Sequence, residues 1–177
     1  MIIFGVDPGT VNTGYGIIKY YKNEFHHISS GIIKPNPKFD LPAKLENIYN
    51  ELYDLLKRNK PDSFVIETAF YGKNIQSALK IGYVRGVSLL AAIHNGIETN
   101  EYSPREIKKS VTGNGACSKE QVMFMVKKLL YLKKEMKFDE SDALAIAICH
   151  ALKTKSLSNK SSSWKEYIKA NPDKVVS

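Results

Sequence analysis

The chain has 177 residues, 43% hydrophobic and 25% charged, with a formal net charge of +8 and a pI near 9.3. That length suits one domain with a sizeable core, and the basic excess favours a polyanionic partner. No apolar run approaches the roughly 20 residues that cross a bilayer, and Cys117 and Cys149 make neither a zinc pattern nor a disulfide framework.

Strand one is expected to begin at Ile2, leaving no room for a signal peptide, so the expected location is the cytoplasm, with no membrane partner. Ile2 to Val6 is an apolar run that ends in Asp7 and then Pro8-Gly9, which reads as a buried strand followed by a tight turn. Thr13–Tyr21 and Glu24–Ile33, separated by Lys22-Asn23, read as an antiparallel hairpin. Gly14 and Gly16 leave one face of its first strand nearly bare, a sign of close approach by another element. Leu45, Ile48, Leu52, Leu55 and Leu56 recur at helical spacing within Leu41–Lys57. Ser63 to Glu67 repeats the form of the opening, a short apolar strand that delivers an acid.

Residues 76–94 predict a second long helix in which Ala78, Gly82, Gly86, Ala91 and Ala92 would let a sheet or a partner subunit come close. Ile97–Tyr102 predicts a fifth strand, and Ser103-Pro104 opens a short helix. After a glycine-containing loop at Thr112–Ala116, Ser118 and Gln121 form a capping-box signature for the next helix. A last helix is expected from near Asp139 to about Lys155, giving one domain over residues 1–157 and a basic, mobile tail over 158–177. Three antiparallel strands followed by two parallel ones between helices predict a five-stranded mixed sheet flanked by helices, an α/β fold.

Four acids stand out. Asp7 and Glu67 end strands that are plausible parallel neighbours, and Asp139 and Asp142 share one face of the last helix. Each has a plainer use: a turn cap for Asp7, a solvent-facing strand end for Glu67, and the helix dipole for the Asp pair. Taken together, they suit two-metal phosphodiester hydrolysis, because magnesium binds a few carboxylates and keeps waters for substrate. Between Arg105 and Lys137, nine basic residues stand against three acids. Lys108, Lys109 and Lys119 flank Gly113-Asn114-Gly115, a combination of backbone amides and ammonium groups that suits phosphate but lacks the Gly-Lys-Ser/Thr of a P-loop.

The ordered series Gly5-Val6-Asp7-Pro8-Gly9, Thr13-Gly14-Tyr15-Gly16, Ile66-Glu67, Asn74-Ile75-Gln76-Ser77-Ala78-Leu79-Lys80, Arg85-Gly86, Glu101-Tyr102-Ser103-Pro104, Lys108 to Gly115 and Asp139-Glu140-Ser141-Asp142-Ala143 closely resembles the RuvC family of Holliday junction resolvases. The resemblance runs from Ile3 to about Ala151 and implies a ribonuclease H-like fold. It further implies that Asp7, Glu67, Asp139 and Asp142 hold a pair of Mg2+ ions, for which Mn2+ can substitute, and that Lys108 and Lys119 stand near the scissile phosphate. A homodimer that nicks opposed strands of a four-way DNA junction follows from it, as do branch-migration helicase proteins as partners. Phe70 falls where the family places an aromatic near the crossover, and Thr68-Ala69 departs from the usual residues after the acid. Tyr71, Lys73, Asn74, Arg105, Lys109, Gly113, Asn114 and Gly115 are further candidate DNA contacts; Lys80 and Arg85 face either DNA or the partner subunit.

Two other classes fit parts of the pattern. Asp-Pro-Gly-Thr before a glycine-bearing hairpin also resembles the phosphate-binding start of actin-like ATPases and sugar kinases, which need two such domains where this chain has one. A passive DNA-binding module needs bases and no acid cluster.

Overall fold

A computed structural model describes residues 1–68 and 75–170, with side chains through residue 155. The elements run β1 (Ile2–Asp7), β2 (Thr13–Tyr21), β3 (Glu24–Ile33), α1 (Leu41–Asn59), β4 (Ser63–Glu67), α2 (Ile75–His94), β5 (Glu98–Tyr102), α3 (Pro104–Thr112), α4 (Lys119–Leu129) and α5 (Phe138–Ala170). One five-stranded sheet has the order β3-β2-β1-β4-β5. The first three strands pair antiparallel, while β4 is parallel to β1 and β5 parallel to β4, as the order of elements predicts.

Alternation along the strands separates two cores. Ile3, Ile18 and Val65 point to the face covered by α3, α4 and α5, and Phe4, Ile17, Phe64 and Ile66 to the face covered by α1 and α2. Each large apolar side chain removed from water here contributes about 1.5–3 kcal/mol. Lys22 and Asn23 both take positive φ, 49° and 68°, which gives the β2–β3 hairpin a turn matched to strand twist. Between Ile17 and Ile18 the β2–β3 register shifts: Ile17 faces Ser29, Ile18 faces His27, and Ile28 is left as an extra residue in a β-bulge. No helix among the described residues is long and apolar enough to cross a membrane.

The buried helix is α5, which packs mainly on β2 and β1. Its closeness depends on absent side chains. A Cβ at Gly5 would overlap the Ala143 carbonyl oxygen, and one at Gly14 the Asp139 carbonyl oxygen. Gly5 faces Gly16 across the ladder, so the helix backbone lies on a bare strip of sheet. This is the close approach expected of Gly14 and Gly16.

Three local expectations change. Pro8-Gly9 makes no tight turn; the chain bends at Thr10 and Val11 instead. Thr13 Oγ1 donates to Gly9 O at 2.7 Å, and a Cβ on Gly9 would overlap Asn12 O. Helix α1 runs on to Asn59 and stops where Lys60 adopts a left-handed φ of 43°. Helix α5 continues to Ala170, beyond the end expected near Lys155, because no Gly or Pro interrupts the chain from Phe138 to Ala170.

Gly14→Ala is expected to push the first turn of α5 off the sheet and to cost roughly 1–3 kcal/mol or more, as overpacked cores do. Urea unfolding beside the wild type measures it; an unchanged midpoint would show that the helix does not depend on this contact.

Candidate active site

Strands β1 and β4 bring two acids to one end of the sheet. Val6 pairs with Ile66, so the next residues, Asp7 and Glu67, leave adjacent parallel strands together. Both share the parity of Gly5 and Val65 and face α5. Asp142, one turn into α5, completes the group. The three carboxylates line an open cleft of about 370 Å³ with Lys108, Lys119 and an apolar wall that includes Ile81, Ile107 and Val122.

The electrostatics of the cleft are unbalanced. Burial, then repulsion from Asp142 and Glu67, raises the Asp7 pKa to about 7. Burial, then repulsion from Asp142, raises that of Glu67 to about 7 as well. Lys119 opposes both shifts. Its Nζ donates to Asp142 Oδ2 at 2.8 Å, and that bond raises the pKa of Lys119. Lys108 Nζ, on the neighbouring helix, donates to Cys117 O at 2.7 Å.

Among the described residues, no three His, Cys, Asp or Glu side chains converge tightly enough to hold an ion as they stand. The donor set nevertheless fits hard divalent cations. It is all carboxylate oxygen, it opens to solvent, and burial together with mutual repulsion raises the pKa of both Asp7 and Glu67, a cost that bound cations would relieve. Asp139 sits at the edge of the group, outside the cleft lining, and Asn12 Nδ2 donates to its Oδ2 at 3.2 Å. It adds only the smallest contribution to the shift at Asp7.

Local chemistry fixes the basic wall. Ser103 and Glu106 form a capping box at the start of α3, and Lys153 of α5 bonds Glu106. Helix α3 ends at Gly113, whose φ of 79° suits glycine. Asn114 Oδ1 then accepts from Ala116 N at 3.0 Å. Arg105, Lys108, Asn114, Gly115 and Ala116 line a second, shallow hollow of about 410 Å³. Ser118 caps α4 with Gln121 as expected, which sets Lys119 at the first helical position.

The remaining candidates divide. Lys80 and Lys109 are exposed. Arg85 is only 20% exposed and bonds Glu101 at 2.6 Å, a tie between α2 and β5 within the chain. Phe70, Tyr71, Lys73 and Asn74 lie outside the described residues. Sequence reasoning missed Asn12, whose short loop offers no sign that it reaches Asp139. It also missed the apolar wall, whose residues read simply as core.

Comparison with known proteins gives consistent relatives. The family model described as Crossover junction endodeoxyribonuclease RuvC matches residues 3–150. A protein of that name from Chloroherpeton thalassium is 47% identical, covering 99% of this chain and 100% of the relative. Another from Chlorobium phaeovibrioides is 41% identical over 99% of this chain and 100% of its own. Among solved structures, Thermus thermophilus RuvC in complex with Holliday junction substrate superposes with a TM-score of 0.83 at 28% identity, covering 88% of this chain and 96% of that one.

The charge imbalance carries a signature in stability. The folded pKa of Asp7, about 7, stands above its ordinary value of 3.8, so the folded state binds more protons between those pH values and loses stability as pH rises through them. In chelator, Asp7→Asn is therefore expected to unfold at a higher temperature than the wild type at pH 8, by on the order of 1 kcal/mol or more. The gain should shrink towards pH 4. Calorimetry at both pH values checks this, and an equal shift at both would refute the imbalance.

Proposed function

From the premise that the chain belongs to the RuvC family of crossover junction endodeoxyribonucleases, we propose that it resolves four-way DNA junctions by nicking opposed strands as a homodimer. The observation that carries this reading is that Asp7, Glu67 and Asp142 line one open cleft together with Lys108 and Lys119. With Asp139 at its edge, this group would hold a pair of Mg2+ ions, or Mn2+ in their place, which supply activated water and charge stabilisation for phosphodiester hydrolysis when bound.

The chain's own residues do the rest. Asp7 and Glu67 stand on strand ends, so their separation is held by sheet hydrogen bonds. Lys108 and Lys119 put positive charge where the phosphate oxygens gain negative charge, an effect that strengthens inside a cleft. The hollow lined by Arg105, Asn114 and Gly115 continues this surface along the DNA backbone, with Lys109 exposed on the same helix. Phe70, Tyr71, Lys73 and Asn74 complete the proposed DNA contacts from the segment after Glu67, and Lys80 adds an exposed cation on α2. The reading also includes branch-migration helicase proteins as partners, a cytoplasmic location, and roles in recombination and repair.

Helix α2 supports the homodimer. Ile75, Leu79, Tyr83, Leu90 and Ile93 are all exposed and share one face, between 43% and 74% accessible. Gly82 and Gly86 meet nothing within 4 Å where a Cβ would stand, so a second copy of the helix could approach closely. An apolar strip of this size suits an interface.

Cleavage of a four-way junction beside a plain duplex of the same sequence, with Mg2+ and with chelator, tests the central claim. Junction-selective, metal-dependent nicking is expected. Asp7→Asn should lose cleavage by more than about 100-fold while still binding the junction. Cleavage in strong chelator, or an active Asp7→Asn, would overturn the mechanism. Leu79→Glu should yield a monomer in sedimentation and uncouple the paired nicks; a dimer unaffected by it would remove α2 from the interface.

A further inference from the structure

Helix α5 begins without a capping side chain of the usual kind. Ser141 N donates to Lys137 O at 3.0 Å, which makes Lys137 the residue at the cap, and an ammonium group cannot accept from backbone amides. Yet this first turn carries Asp139, and Asp142 follows directly after it. Between them in sequence lies a buried acid, Glu140. Glu140 is 8% exposed, and a carboxylate so placed needs partners. Ser30 Oγ donates to its Oε1 at 2.6 Å, and Lys134 Nζ donates to the same oxygen at 2.8 Å.

A third residue stands behind Ser30. His27 Nε2 lies 2.7 Å from Ser30 Oγ. The serine has one hydroxyl hydrogen, and a carboxylate bonded by an ammonium can only accept it. His27 must then donate from Nε2, so the chain of bonds runs in one direction from β3 into α5. The β-bulge makes this possible. Residues three apart in a regular strand point to opposite faces. The extra residue Ile28 reverses the parity, so that His27 faces α5 opposite Ile18 and Ser30 does so opposite Gly16.

We infer that Glu140, held by Ser30 and Lys134 and backed by His27, is a positioning residue that sets the first turn of α5 and thereby the aim of Asp139 and Asp142. The inference rests on the proposed role of those two acids. Glu140 touches neither substrate nor metal in this role; it acts through the helix turn it anchors, as outer partners of ligating groups do.

The test uses the full chain and two readouts. Junction cleavage by Glu140→Ala is followed against Mn2+ concentration, and amide hydrogen exchange is measured without metal or DNA. The kcat is expected to fall about 10–100-fold with the KM for junction within about twofold, and half-maximal rate should need roughly tenfold more Mn2+. Exchange should quicken in the first turn of α5 and stay unchanged in β1 and β4. Glu140→Gln keeps an oxygen for Ser30 and Lys134 and should recover most of the loss. Ser30→Ala should give a smaller loss of the same kind and add nothing to Glu140→Ala.

Wild-type kcat and Mn2+ response in Glu140→Ala would overturn the inference, as would a loss that Gln does not rescue. Should Glu140→Ala fail to fold, unaltered metal response in Ser30→Ala overturns it. Should the wild type cleave no junction, the proposed function fails, and exchange alone decides: a quickened first turn supports the anchoring role, and an unchanged one refutes it.

Discussion

The contact between α5 and the bare strip of β1 and β2 governs the molecule. Packed layers normally stand well apart, about 10 Å for two stacked sheets, because side chains fill the gap. Here Gly5, Gly14 and Gly16 remove the side chains, and the helix backbone takes their place. The consequence reaches the site directly, since the residue whose carbonyl presses on Gly14 is Asp139 itself. Asp7 lies opposite Gly14 in the same ladder. One close approach thus fixes both the depth of the helix and the meeting of its acids with those of the strands.

That arrangement has an electrostatic cost which the fold does not remove. Asp7 and Glu67 are drawn into an open cleft with Asp142, and among the described residues only Lys119 makes a direct side-chain bond to any of the three. Packing elsewhere has to carry the difference, and two cores on opposite faces of the sheet supply it. The uncompensated charge is also what suits the cleft to the proposed cations. Stability and the proposed chemistry pull in opposite directions at the same side chains.

Much of this was legible in the sequence because it is written locally. Alternation and helical spacing mark the strands and helices, and an apolar run ending in an acid marks Asp7 and Glu67 alike. The capping boxes at Ser103 and Ser118 place Lys108 and Lys119 on their helices through residues only three apart. What was not legible depends on partners far apart in the chain. Ser30 reaches Glu140 across 110 positions, and Asn12 reaches Asp139 across 127. The bulge at Ile28 has no local signal either, since its residues suit a regular strand equally well. Arg85 looked free for DNA or a partner subunit because nothing nearby in sequence announces Glu101 as its mate. The Pro8-Gly9 turn failed for a related reason: Thr13, beyond the pair, decides how the loop closes.

The two halves of the site differ in how they tolerate change in chain length. Asp7 and Glu67 are held by neighbouring strands, so their spacing is a property of the ladder. The hairpin and helix between them could lengthen or shorten in a lineage without moving either acid. The acids of α5 have no such freedom. Adding one residue between the Gly14 contact and Asp142 would turn the rest of the helix by about 100° and carry that carboxylate out of the cleft. Insertions should accordingly be tolerated in the connections between β1 and β4, outside the glycine strip and the bulge, and be purged from the opening turns of α5, leaving a group of acids that is elastic on one side and phase-locked on the other.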